Sequence, residues 1–125
     1  MLYGSDNDLT DQIIGCAVEV HRELGPGLLE SVYESALCLE LEERSLSYRR
    51  QYGVPLYYKG TLISEHRPDL VVADRVVVEV KCVQHLEPVY IAQVITYLRV
   101  LKLRVGLLLN FKTAVMKHGI RRVML

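Results

Sequence analysis

Asp69, Glu79 and Lys81 are the residues whose types and spacing could do chemistry. In Val76-Val77-Val78-Glu79-Val80-Lys81-Cys82 the side chains of a strand alternate. Val77, Glu79 and Lys81 then share one face, and Val76, Val78 and Val80 the other. Two opposite charges interrupt a run that otherwise reads as a central buried strand. A buried carboxylate is costly unless it is paired, hydrogen-bonded or bound to a metal. Asp69 lies in the preceding segment, Arg67-Pro68-Asp69-Leu70-Val71-Val72, and an Asp74-Arg75 turn makes the two strands neighbours. The spacing from that turn puts Asp69 and Glu79 roughly opposite each other. Two such carboxylates repel and raise each other's pKa unless a cation is present. A hard divalent cation with oxygen ligands resolves the repulsion, and Lys81 on the same face could orient a water or stabilise a developing charge. The alternative is an ordinary hairpin with one wet face, on which Glu79 and Lys81 are merely solvated.

The following helix carries Gln93 and Tyr97 at i and i+4, with Tyr90 on the same stripe. The plain alternative packs Tyr97 in the core and leaves Gln93 exposed. Glu30 stands in the first turn of an earlier helix, where an acid also favours the helix dipole. The histidines, His21, His66, His85 and His118, show no metal-ligand spacing. Cys16, Cys38 and Cys82 are odd in number and lack a CxxC pair, which excludes a disulfide framework or structural zinc site. Cys16 and Cys38 fall in helical apolar patterns and read as small core residues. Cys82 reads as buried filler rather than a nucleophile.

The elements that must position these residues follow from periodicity. Ser5 to Asp8 offers N-caps. Ile13, Ile14, Ala17, Val18, His21 and Leu24 recur at helical spacing until Gly25-Pro26-Gly27 breaks the helix. A second helix is predicted from about Leu28 to Arg44, with Leu29, Val32, Tyr33, Ala36 and Leu39 inward. Tyr48 to Tyr58 reads as a strand with a bulge at Gly53, and Leu62 to Ala73 as a second after a Lys59-Gly60 turn. Val76 to Cys82 is a third strand. Pro88 opens a helix that runs to about Leu101. Arg104 to Asn110 is so apolar that it should be buried on both faces, and a last strand is predicted around Ile120 to Met124. The order is α-α-β-β-β-α-β with a final β, a mixed sheet flanked by helices.

The 125 residues fit one domain, 1–125, and half of them are apolar, which argues against disorder. The net charge is zero, against a strongly basic nucleic-acid-holding surface. Basic clusters at Arg49–Arg50, Arg99/Lys102/Arg104 and Lys117/His118/Arg121/Arg122 read as solvated faces. Met1 to Asp11 is polar, without the basic start and apolar core of a signal peptide, and no apolar run spans a bilayer. The expectation is a cytoplasmic protein. Apolar residues in excess of one small core suggest a homodimer.

Asp69 followed by Glu79-x-Lys81 resembles the PD-(D/E)XK nuclease motif, with the literal Pro68-Asp69, and Gln93-x-x-x-Tyr97 resembles the QxxxY motif of its RecB-like branch. More closely, the chain is similar to the small bacterial GxxExxxY family of that superfamily. The stretches from His21 to Glu34, Arg67 to Val71, Val78 to Lys81, Ala92 to Leu98 and Leu109 to Phe111 carry the likeness. The resemblance implies an α/β fold with an αβββαβ core and an extra N-terminal helix. It implies Mg²⁺ or Mn²⁺ on Asp69, Glu79 and the Val80 carbonyl, with Lys81 positioning water. Glu30 corresponds to the acidic residue of the first core helix, and Gln93 and Tyr97 to the active-site helix. The implied reaction is phosphodiester hydrolysis with DNA or RNA as substrate. Two departures stand out: Glu30 and Tyr33 are separated by two residues rather than three, and Tyr90-Ile91 replaces a His-Glu pair that relatives often carry. The competing readings are a non-catalytic scaffold that retains the nuclease fold, and an enzyme acting on nucleotides or small phosphates.

Overall fold

The structure, a computed structural model, describes residues 3–125. The first two residues of the polar N-terminal stretch, Met1 and Leu2, lie outside the described residues. Ser5 starts α1 (Asp6–Leu24) through a capping box: its hydroxyl accepts from the Asp8 N–H, and the Asp8 carboxylate accepts from the Ser5 N–H. Gly25 and Gly27, both at positive φ, turn the chain into α2 (Glu30–Glu43). The Tyr33 hydroxyl stitches this joint by donating to the Gly25 carbonyl and accepting from the Leu28 N–H.

Five strands form the main sheet in the order β1 (Tyr48–Arg50), β4 (Leu70–Val72), β5 (Val76–Lys81), β6 (Val105–Asn110) and β7 (Ile120–Met124). Only the β5–β6 pair is parallel, and α3 (Pro88–Leu101) makes that crossover. The β4–β5 turn has Ala73 and Asp74 at positive φ, the primed geometry that matches strand twist. Val76, Val78 and Val80 pack towards α1 and α2, whereas Val77 packs with Val94, Tyr97 and Leu98 of α3. The sheet is therefore covered on both faces, and β6 is buried throughout, as its sequence predicts. A Cβ at Gly106 would sit 2.5 Å from Val94 Cγ1, so the glycine lets α3 lie directly on the sheet. The architecture is the mixed α/β fold expected, and α2-β1-β4-β5-α3-β6 gives the αβββαβ core with α1 as the extra helix.

Three expectations are corrected. The strand predicted from Tyr48 to Tyr58 divides into β1 and β2 (Val54–Tyr58), with Gln51 at φ 54° in the break. Gly53 lies in that break, and the register irregularity falls instead between Leu56 and Tyr57. The strand predicted from Leu62 to Ala73 divides likewise into β3 (Thr61–His66) and β4, because Pro68 has no N–H for a ladder. β2 and β3 form a separate hairpin. In α2 the inner face is Tyr33, Glu34, Leu37, Cys38 and Leu41, while Leu29, Val32 and Leu39 face solvent. A carboxylate on the inner face disguised the apolar stripe. Val18 and Leu24 of α1 are also exposed, but Ile13, Ala17, His21, Cys16 and Cys38 are buried as expected.

Candidate active site

β4 and β5 pair with Leu70 opposite Val78, and one step further Asp69 faces Glu79. The two residues clasp each other: the Asp69 N–H donates to Glu79 Oε1 at 2.8 Å, and the Val80 N–H donates to Asp69 Oδ2 at 2.8 Å. Glu79 is 5% exposed. Burial pushes its carboxyl up to about 7, and the neighbouring Asp69 charge adds to the rise. Burial likewise pushes Asp69 up to about 6, against the pull of the Val80 N–H and with further push from the Glu34 carboxyl.

Glu34, which the sequence reading passed over, joins this pair. Its Oε1 accepts from Gln51 Nε2 at 3.0 Å, and the same amide reaches Asp69 Oδ1 at 3.3 Å. Its Oε2 accepts from Arg50 Nε at 2.7 Å. Arg50 is thus both solvent-exposed and tied to the site. Glu30 sits one turn earlier on α2, exposed, and accepts from the Cys82 N–H at 3.1 Å. The structure brings Glu34, not Glu30, to the carboxylates. The available signal was the helical spacing of Glu34 with Leu37, Cys38 and Leu41, which puts all four on one face.

Lys81 shares the Glu79 face as alternation requires. Its Nζ lies 4.0 Å from Glu79 Oε2 and 4.6 Å from the centre of the Tyr90 ring. Tyr90 therefore shelters the ammonium by a cation–π contact. Tyr97 is 2% exposed, and burial and then the Glu79 and Asp69 charges push its phenol up to about 12. It stays protonated at neutral pH, a donor rather than a base. The neighbouring Gln93 side chain works against that rise. Burial raises the Cys82 thiol, so it is no activated nucleophile. Asn110 fixes the segment after Lys81: its Oδ1 accepts from the Val83 N–H at 3.1 Å and its Nδ2 donates to the Val83 carbonyl at 2.8 Å.

Among the described residues no three His, Cys, Asp or Glu side chains form a ready-made metal cage. The donor set nevertheless suits Mg²⁺, which is held by one or two carboxylates and keeps several waters. The Lys81 carbonyl accepts from the Phe111 N–H on the β6 side. One residue back, the Val80 carbonyl points the other way, the side on which its N–H meets Asp69. Beside it stand the buried Glu79 carboxyl and the half-buried Asp69 carboxyl, both with raised pKa values, and a cation there would favour their ionised forms.

The raised carboxyls set a pH dependence. From about pH 4 to about pH 7 the folded protein holds more protons at Asp69 and Glu79 than the unfolded chain does. The stability they allow is complete below the ordinary carboxylate range and is lost as pH rises through about 6 to 7. We expect the metal-free protein to lose on the order of 2 kcal/mol over that window, and Mn²⁺ to restore it at the upper end. Thermal melts at several pH values with and without Mn²⁺ check this, and a flat metal-free profile contradicts it.

A family model described as the PD-(D/E)XK nuclease superfamily matches residues 7–123. No curated protein and no solved structure matches the chain. The family match covers nearly the whole sequence and takes in the Asp69–Glu79 clasp and Lys81 beside it, so the chain belongs to the PD-(D/E)XK nuclease superfamily.

Proposed function

We propose that this protein is a divalent-metal-dependent nuclease of the GxxExxxY kind, hydrolysing phosphodiester bonds in DNA or RNA. The observation that carries the reading is the reciprocal Asp69–Glu79 clasp, with both carboxyls held above their ordinary range. Members of the superfamily generally use divalent metals. Asp69, Glu79 and the Val80 carbonyl would hold Mg²⁺ or Mn²⁺, and the bound ion supplies water activation and charge neutralisation at the phosphate. Lys81 holds the attacking water or the developing negative charge on the Glu79 side of the site. Tyr97, kept protonated, would donate a hydrogen bond to the substrate, with Gln93 one turn earlier on α3 beside it. Glu34 positions Asp69 through Gln51. No helix among the described residues is long and apolar enough to cross a membrane, and we place the reaction in the cytoplasm.

A second reading, a non-catalytic scaffold, draws on the fact that each carboxylate already accepts a backbone N–H donor, which can hold it as a purely structural group. Calorimetric titration of Mn²⁺ separates the two. Saturable binding in the wild type, lost in folded Asp69→Ala and Glu79→Ala variants, supports the nuclease. Absence of binding at millimolar metal with an oligonucleotide present supports the scaffold.

A further inference from the structure

The β2–β3 hairpin exposes more apolar surface than a free arm of a small protein needs. Tyr57 is 63% exposed, Tyr58 61%, Leu62 57% and Ile63 64%. Val54 and Leu56 seat its root against α3. Both of its ends run into the active site. On the way in, Gln51 bonds Glu34 and Asp69. On the way out, His66 meets the Tyr97 ring edge-on, Arg67 donates to the Gln51 carbonyl, and the chain reaches Asp69 two residues later. The root of the hairpin therefore borders Asp69.

We propose that this hairpin is a base-stacking arm, with Tyr57 on one face of its tip and Tyr58 on the other as platforms for an unpaired strand of nucleic acid. The inference rests on the nuclease reading and names its substrate class as single-stranded. Three observations favour this occupant. One of the two platform rings has a cation beside it, Lys59 Nζ at 5.4 Å from the Tyr58 ring centre, and so does Tyr52 just before the hairpin, with the Arg49 guanidinium at 5.0 Å from its ring centre. Rings beside cations suit bases joined by phosphates. The net charge is zero, so the chain lacks the strongly basic surface that grips a duplex, and the cations it offers this ligand are the local ones beside the rings. Ser64, Glu65 and His66 on β3 oppose the alternative of pairing with the strand of a second copy, because charged and polar edge residues discourage such pairing. β3 is six residues long, roughly 20 Å, the length of about six stacked nucleotides.

The test is fluorescence anisotropy without divalent metal, using labelled single strands of about 12 nucleotides and the matching duplex. The wild type should bind the single strand at least tenfold more tightly than the duplex. Tyr57→Ala and Tyr58→Ala should each weaken single-strand binding by roughly five- to fiftyfold. Phe at either position should retain it, and Leu should lose it as Ala does, because only a ring stacks. Both side chains are exposed, and circular dichroism verifies that the variants fold. Equal affinity for duplex and single strand, or Leu variants that bind like the wild type, overturns the arm. So does a wild-type dimer that the Ala variants split in sedimentation, with strand binding unchanged. Mn²⁺-dependent cleavage in the same preparations keeps the two readings apart. Ring-dependent binding without any cleavage upholds the arm and sinks the nuclease. Cleavage that the Ala variants leave untouched upholds the nuclease and overturns the arm.

Discussion

Exchanging Glu79 for glutamine is expected to lower metal-dependent cleavage by at least ~10²-fold and, in the same protein without metal, to raise the thermal midpoint above about pH 7. The two effects share one cause. Glu79 is almost fully buried, and its ionised form is opposed by burial and by Asp69. Glutamine keeps the shape and an oxygen for the Asp69 N–H, but carries no charge. At about pH 8 the wild type must ionise that side chain in place, at a cost of about 1–3 kcal/mol, which glutamine avoids. A gain of several degrees in the melt follows. A cation removes the advantage, because it is the wild type that the cation stabilises. Cleavage left intact by the exchange rules Glu79 out as a ligand, and a melt lowered at about pH 8 rules out the electrostatic account.

The second large effect separates two glutamates on one helix. Glu34→Ala should cost about 1–3 kcal/mol and reduce cleavage at least tenfold. It leaves Gln51 without a carboxylate to hold its amide beside Asp69, and leaves Arg50 without its ion pair. The Arg50 side chain is 41% exposed, and solvent screening keeps the figure at the lower end. Glu30→Ala removes a single bond from an exposed carboxylate to the Cys82 N–H and should stay within about 1 kcal/mol, with cleavage within a few fold. Urea melts and initial rates on the two variants decide it. Greater loss of activity at Glu30 than at Glu34 returns the acidic role to the first turn of α2.

The contrast between these residues shows what was legible in the sequence. Strand alternation placed Glu79 and Lys81 on one face, and counting from the turn placed Asp69 opposite Glu79, as the register has it. These inferences need only a period of two and a short connection. The α3 boundaries and the buried β6 were also legible, because proline and an unbroken apolar run leave few choices. The reading failed where a buried polar contact or a break in the chain overrides pattern. Glu34 is buried with its carboxylate held by Gln51 and Arg50, so an apolar stripe drawn without it turned α2 to the wrong face. The two predicted strands ran through breaks at Gln51–Gly53 and Arg67–Asp69. Those breaks are where the chain leaves the main sheet and re-enters it, and β propensity is the same on either side of them.

The same breaks bear on how such a protein can change. β1 and β4 already face each other, Arg50 opposite Leu70, so everything from Val54 to His66 is topologically an insertion in the loop of one hairpin. Doubling the length of such a loop costs only about 0.6 kcal/mol in closure entropy. A lineage can therefore lengthen, trim or rewrite that segment while β5, β6 and α3 keep their packing. On the reading proposed above, chemistry and substrate choice would then reside in parts of the chain that can evolve separately, one held by the core and the other free to drift.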